Sequence, residues 1–212
     1  MQAGRLRSSP GMDFNFKPKT SRDDFGWHER GYIPHLDGEE FMQFVTFRLA
    51  DSMPPEVLNR WRLEAKSDAA FRKKVEQYLD AGYGECHLRK PEIAAIVRDA
   101  LLFHADSKYR LDAWVTMPNH GHILLATFPG VHLPDVMHSI KSFTAHEANK
   151  ILNRIGQFWQ PESFDRYIRS ARHYAAVVRY IENNPVKAGL CATPEEWPFS
   201  SATTGAQASR LP

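Results

Sequence analysis

The sequence predicts an α+β fold in which an antiparallel sheet is covered by helices. Apolar and polar residues alternate over 42–49 and again over 109–117, which is typical of strands. An apolar run after Pro118 predicts a third strand, and other stretches repeat apolar residues at helical spacing. The order strand, helices, strand, strand, helix indicates an α+β sandwich with an antiparallel sheet covered by helices.

Length and composition favour one domain with tails. With 212 residues and 42% hydrophobic residues, the chain can bury a full core. We assign 1–24 to a disordered tail, 25–203 to a single domain and 204–212 to a C-terminal tail. Cys86 and Cys191 lie far apart without a CxxC pair, which fits neither a disulfide framework nor a zinc finger. With no apolar run of membrane-spanning length and no signal-peptide core, we expect a cytoplasmic protein without membrane contacts.

The first half of the chain contains one strand and three helices. The strand over 42–49 places Val45, Phe47 and Leu49 on one face. Two polar helices over about 53–82 follow it and look like an elaboration of the fold. A third helix over 91–104 begins at a proline suited to a first helical turn and should pack on the sheet.

The second half begins with a predicted hairpin. After the strand over 109–117, Pro118 and Asn119 turn the chain into the third strand. A helix over 134–152 follows, with Lys141 near the side opposite its apolar residues. After a short aromatic and basic segment, 163–169, Ser170 caps a last helix, which we expect Pro185 to end at 184. In the second strand, the residues predicted to point inward are Leu111, Ala113, Val115 and Met117, and Trp114 is predicted to point outward. In the 134–152 helix, the apolar side is predicted to contain Val136, Met137, Ile140, Phe143 and Ala148.

Two histidines mark the beginning of the third strand. Because strand side chains alternate, His120 and His122 project from the same face, separated only by Gly121. This is a metal-ligand geometry, although the bare pattern equally fits a polar strand edge. Gly121 leaves room on the opposite face, which would suit a site for a bulky substrate.

Charge is unevenly distributed along the chain. The segment 141–187 carries eight Lys or Arg residues against four Asp or Glu, hence +4, and the remainder is −2 because the whole chain is +2. A basic segment beside a metal site favours a ligand with a phosphate backbone, whereas charge alone fits a solvated helix surface. Aromatic and basic residues also interleave over 25–35, which suits base stacking or an arm packed on the domain.

Several motifs together resemble the single-tyrosine HUH transposases, in particular the REP-associated tyrosine transposases. They are the run from Trp114 to Leu125 around the two histidines, Phe158-Trp159-Gln160, the run from Tyr180 to Leu190, and Trp197 to Ser201. The 30–35 and 43–49 segments are similar too, so the resemblance spans about 27–201. It implies the HUH endonuclease fold, with a ferredoxin-like or RRM-like core and a helical insertion after the first strand.

The resemblance also implies the residues of an active site. His120, His122 and Asn184 would bind a divalent ion, Mg²⁺ or Mn²⁺, although many relatives have Gln where this chain has Asn184. Tyr180 would be the nucleophile and form a 5′-phosphotyrosine link. Tyr167 and Tyr174 are alternatives from the same region, but neither has an amide four residues later.

The implied function is a single-strand DNA endonuclease and strand-transferase acting beside hairpins of repetitive extragenic palindromes, as a monomer or homodimer. Two alternatives remain: a domesticated hairpin-DNA-binding protein without cleavage activity, and a metal-dependent phosphohydrolase that uses water. The expected DNA contacts are Arg30, Tyr32, His35, Lys141, Arg169, Arg172 and Lys187.

Overall fold

A four-stranded antiparallel sheet forms the centre of the computed structural model, which describes residues 27–29, 34–36 and 41–203. Two short strands, β1 and β2, pair with each other and lie beside the edge strand β6. The order in the main sheet is β4-β5-β3-β6. The strands are β1 Trp27–Glu29, β2 Pro34–Leu36, β3 Met42–Arg48, β4 Tyr109–Thr116, β5 His120–Thr127 and β6 Phe164–Tyr167.

In the described part of the chain, five α-helices pack around the sheet. Ser67 and Ser170 cap two of them, because their hydroxyls accept hydrogen bonds from backbone N–H groups of the first turn. The predicted α+β class with an antiparallel sheet is confirmed. None of the helices in the described ranges combines the length and apolar character needed to cross a bilayer. The helices are α1 Pro55–Glu64, α2 Asp68–Asp80, α3 Pro91–Phe103, α4 Leu133–Ile151 and α5 Ala171–Lys187.

Both faces of the sheet are buried. Val45, Phe47 and Leu49 share one face, as predicted, and lie in the core that α3 and α4 complete. The other face, with Phe44 and Leu124, packs against α5. A third, smaller core lies between α1 and α2 and includes Phe71, against which Phe164 of β6 packs. The α1–α2 pair therefore packs against β6, at one edge of the sheet.

The alternation predicted for β4 is wrong at its first half. The ladder with β5 shifts between Leu111 and Ala113, so Asp112 is an extra residue in a β-bulge. The bulge reverses the alternation, and Leu111 packs in the α3–α4 core while Ala113 faces α5. Trp114, predicted to point outward, is buried in the α3–α4 core as well.

Two predictions for the helices are also wrong. The last helix does not end at Pro185 but continues to Lys187, because the following turn still bonds through Ala188 N–H to Asn184 C=O at 3.0 Å. Phe143 of α4 is 55% exposed. The buried position next to it is taken by Thr144, whose hydroxyl accepts a hydrogen bond from Trp159 Nε1 at 2.8 Å.

The segment 163–169 also has more regular structure than predicted. Phe164–Tyr167 forms β6, which pairs with β3 at the sheet edge. The proposed tails over 1–24 and 204–212 lie outside the described residues, as do residues 25 and 26 of the proposed domain.

Gly121 makes room for a core residue rather than for a substrate. It pairs with Phe47 across β3 and β5, and a Cβ at position 121 would lie 2.5 Å from Phe47 Cζ. The Phe47 ring therefore occupies the space that the glycine leaves on the face opposite the histidines. The expectation that this space admits a bulky substrate is wrong.

Gly121→Ala is expected to lower the free energy of unfolding by about 1–3 kcal/mol, because the added methyl group overpacks the core against Phe47. Urea denaturation followed by circular dichroism measures this change. Phe47→Leu in the same chain should recover part of the loss, since the two residues are in direct contact. A Gly121→Ala protein as stable as the wild type would contradict this packing.

Candidate metal centre and tyrosine

The two histidines lie side by side on the face of β5 that packs against α5. Their ring centroids are 4.8 Å apart and both side chains are fully buried. Strand pairing places His122 opposite Thr46 and His120 opposite Arg48 on β3. The regular alternation of β5 therefore presents both imidazoles to the same interior site.

Each imidazole is oriented by a hydrogen bond at Nδ1. Asn119 donates its Nδ2–H to the Tyr83 carbonyl at 2.9 Å, which leaves its Oδ1 to accept from His120 Nδ1 at 2.7 Å. Thr46 Oγ1 lies 2.8 Å from His122 Nδ1. A second ring nitrogen held in this way is the usual arrangement in histidines that bind a metal through Nε2.

Both histidines are in the neutral form that binds metals. Burial lowers the pKa of His120 to about 3, with a further contribution from Lys187. Burial also lowers the pKa of His122 well below its ordinary value, helped by nearby positive charges. The two Nε2 atoms are buried and have no hydrogen-bond partner among the described residues.

Asp80, the last residue of α2, brings a carboxylate to the histidine pair. Its Oδ1 is 3.9 Å from His120 Nε2, and one ligand atom each from Asp80, His120 and His122 lie within 4.8 Å of one another. Oδ2 is paired with Lys187 Nζ, whereas Oδ1 is buried and has no hydrogen-bond donor in the described part of the chain. Sequence reasoning missed Asp80, because nothing in a polar helix that looked like an elaboration marks one acidic residue as a ligand.

Tyr180 of α5 reaches the same site. Its ring is 5.3 Å from that of His122 and 5.9 Å from that of Phe44, both in edge contacts. Burial raises the pKa of the Tyr180 hydroxyl, and the carboxylates of Glu76 and Asp80 raise it further. The phenol is therefore protonated at neutral pH.

Asn184 lies one helical turn beyond Tyr180 and on the same face of α5. Its side chain is fully buried beside the Tyr180 hydroxyl and opposes the rise in the pKa of that phenol. No hydrogen bond of normal geometry joins the two, and neither side-chain atom of Asn184 has another partner within the described ranges. The amide is thus placed next to the nucleophile candidate, as the sequence motif predicts.

Among the predicted DNA contacts, Lys187 pairs with Asp80 of the candidate metal centre, and its Nζ is 5.7 Å from the Tyr180 ring centroid. Arg169 and Arg172 are exposed near the other end of α5. Arg30 and Tyr32 lie outside the described residues, and for His35 only its place in β2 is described.

Lys141 is on the opposite side of the sheet, on α4. Its ammonium group donates to the carbonyls of Gln160 and Pro161 at 3.0 and 3.1 Å, and burial lowers its pKa to about 8. The structure therefore does not bring Lys141 to the histidines, and its hydrogen bonds fix the loop before β6.

The donor set fits a divalent cation. Two neutral imidazoles and a carboxylate converge with bare ligand atoms, and a buried polar atom without a partner costs about 1–3 kcal/mol. Imidazole nitrogens suit first-row transition ions, and a carboxylate oxygen suits Mn²⁺ and Mg²⁺. The predicted pair His120 and His122 is therefore joined by Asp80, with Asn184 nearby.

The chain is similar to known proteins over the segment that contains the two histidines and Tyr180. The family model "Transposase IS200 like" matches residues 90–184, which contain both histidines, Tyr180 and Asn184. The matched segment, less than half of the chain, is similar to the IS200-like transposases. Asp80 and the α1–α2 pair lie outside the matched segment.

One relative of this chain is itself a tyrosine transposase. The chain is 30% identical over 98 residues to the REP-associated tyrosine transposase of Escherichia coli K12, a match that covers 45% of this chain and 56% of that relative. The chain thus matches little more than half of that protein's length. The resemblance to the REP-associated group predicted from the sequence is confirmed.

One solved structure shares the fold. A REP-associated tyrosine transposase bound to a REP hairpin superposes with a TM-score of 0.55 at 20% identity, covering 87% of both chains. A putative transposase from Deinococcus radiodurans has a TM-score of 0.36 at 18% identity, covering 74% of this chain and 96% of that one. The first match supports the same arrangement of sheet and helices.

Addition of Mn²⁺ to the metal-stripped protein is expected to raise its melting temperature. A ligand at a hundred times its Kd stabilises a folded protein by about 2.7 kcal/mol. Differential scanning calorimetry with and without Mn²⁺ measures the shift, which should disappear in Asp80→Asn and His122→Gln. Asp99→Asn, which changes an exposed carboxylate on α3, is the matched control and should keep the full shift.

Asn184→Ala separates the two candidate third ligands. If Asp80 completes the set, Asn184→Ala retains most of the Mn²⁺ shift while Asp80→Asn loses it. The reverse pattern would assign the third ligand to Asn184, and an unchanged shift in all variants would place the ion elsewhere.

Proposed function

We propose that this chain is a metal-dependent single-strand DNA endonuclease and strand-transferase that forms a covalent bond between Tyr180 and DNA. The observation that supports this most is the convergence of a buried phenol, two neutral imidazoles and a carboxylate, each with a bare polar atom. The match of residues 90–184 to a transposase family model supports the reaction class. The proposed substrate follows from a solved relative that is bound to a REP hairpin.

The covalent step exchanges one phosphodiester bond for another. The Tyr180 oxygen forms a bond to the phosphorus, the bond from phosphorus to the 3′-oxygen breaks, and the DNA keeps a 5′-phosphotyrosine link. The phenol gives up its proton, and the leaving 3′-oxygen takes one up to become a hydroxyl. Because the energy of the bond is retained, a 3′-hydroxyl of another strand can reverse the step without ATP.

The residues around Tyr180 set the conditions for this step. The charges of Glu76 and Asp80 both disfavour the phenolate. His120, His122 and Asp80 would hold Mn²⁺ or Mg²⁺, with Asn184 as a further oxygen, and the ion would offset negative charge that develops on the phosphate oxygens. Neutralisation of Asp80 in this way removes one of the two carboxylate charges that raise the pKa of Tyr180.

We propose a hairpin with single-stranded flanks as the substrate, which is the kind of DNA produced by repetitive extragenic palindromes. Arg169, Arg172 and Lys187 are exposed on or next to α5, the helix that carries the nucleophile. The arm with Arg30, Tyr32 and His35 would contact the stem or its flank, because β2 lies beside β6. Lys141 is omitted from the proposed contacts because its ammonium group is bound to backbone carbonyls.

Wild-type protein incubated with Mn²⁺ and labelled hairpin oligonucleotides from its host's repetitive palindromes is expected to form an adduct that survives denaturing electrophoresis. Tyr180→Phe should reduce the adduct at least a thousandfold, because it removes the attacking oxygen. Tyr167→Phe is the matched control and should leave the adduct unchanged. Tyr174→Phe should also form it, since the Tyr174 hydroxyl donates to Asp112 at 2.9 Å rather than facing the site.

Other outcomes would favour the alternative functions. Cleavage without an adduct would indicate hydrolysis by water, and tight binding without cleavage would indicate a DNA-binding protein. An adduct that persists in Tyr180→Phe would assign the nucleophile to another residue.

A further inference from the structure

A cleft near Tyr180 is lined mainly by cations, and three of the four lie outside the sequence motifs. It lies between α2, β6 and α5, has a volume of about 420 Å³, and we call it the basic cleft. Its charged lining residues are four cations and one carboxylate, namely Arg72, Lys73, Arg166, Lys187 and Glu76.

Two arginines in the basic cleft have an unused hydrogen-bond donor each. The Nε atoms of Arg72 and Arg166 are buried, and neither Nε donates to any atom of the described residues. Burial lowers the pKa of Arg166, the Glu76 carboxylate opposes this shift, and the positive charge of Arg72 adds to it. Two half-buried guanidinium groups with unused Nε donors suit an anion, since such groups pair with phosphate at short distance.

The basic cleft lies near the nucleophile. The Arg166 guanidinium carbon is 4.8 Å from the Phe44 ring centroid, and the Phe44 ring is 5.9 Å from that of Tyr180. Lys187 lies 5.7 Å from the Tyr180 ring and also lines the basic cleft. An anion held by Arg72 and Arg166 would therefore lie next to the place where Tyr180 meets DNA.

Building on the proposed function, we propose that the basic cleft binds a backbone phosphate of the substrate strand adjacent to the phosphodiester that Tyr180 attacks. Arg72 and Arg166 supply the hydrogen bonds, and Lys73 and Lys187 supply further positive charge. The α1–α2 insertion then has two roles: it contributes Asp80 to the metal centre and Arg72 and Lys73 to the DNA site. The contacts are to phosphate, so they position the strand without reading its sequence.

Binding to a fluorescent hairpin with single-stranded flanks tests this proposal without any cleavage. In the Tyr180→Phe protein, Arg72→Gln with Arg166→Gln should weaken binding about a hundredfold, roughly tenfold for each lost phosphate contact. The slope of log affinity against log salt should fall by about 0.7, since one neutralised phosphate of a single strand contributes about 0.7. The matched control is Arg60→Gln with Arg98→Gln, which removes the same charge from exposed positions.

Neutral methylphosphonate links placed one at a time along the strand identify the phosphate. One link beside the cleavage position should weaken binding by the Tyr180→Phe protein about tenfold or more and have no effect on the double arginine variant. Lys73→Gln, which changes only an exposed side chain, should show a smaller loss of affinity even if the Arg166 variant folds poorly.

Affinity and salt slope equal to those of the control variant would overturn the basic-cleft proposal, and so would a methylphosphonate effect that is the same in both proteins. A wild-type adduct together with that result would leave the proposed function standing. Absence of hairpin binding by the Tyr180→Phe protein would overturn both.

Discussion

The approach of the Asp80 carboxylate to the paired imidazoles of β5 is the contact on which the rest of the site depends. It joins the last residue of α2, which follows β3 in the chain, to the centre of the sheet, with Oδ1 3.9 Å from His120 Nε2. The buried residues Val75 and Leu79 anchor α2 in its own small core, and the Asn119 amide fixes the loop after it through the Tyr83 carbonyl. An insertion that looks peripheral in sequence therefore completes the interior site.

Burial determines the chemistry of this site. Removed from water, the histidines stay neutral and the Tyr180 phenol stays protonated, so none of these groups is reactive without a cation or a phosphate. Each bare polar atom costs about 1–3 kcal/mol, and several together amount to a large share of the 5–15 kcal/mol stability that is usual for a domain. At the metal centre, a bound ion would offset this cost.

Local sequence patterns predicted the parts of the molecule that depend on local geometry. Alternation in β5 placed His120 and His122 on one face, and helical spacing placed Asn184 beside Tyr180. Features that depend on tertiary contacts were missed: the bulge at Asp112, the continuation of α5 through Pro185, and the position of Asp80. Gly121 shows the same limit, because only the fold reveals that Phe47 fills its open side.

The position of a bound ion tests this account most directly. Crystals grown with Mn²⁺ and measured near the manganese absorption edge would show the ion as a peak in the anomalous difference map. The account predicts a peak within coordination distance of His120 Nε2, His122 Nε2 and an Asp80 oxygen, on the side from which Tyr180 approaches. A peak that excludes Asp80, or a metal-loaded protein with its ion away from the two histidines, would contradict it.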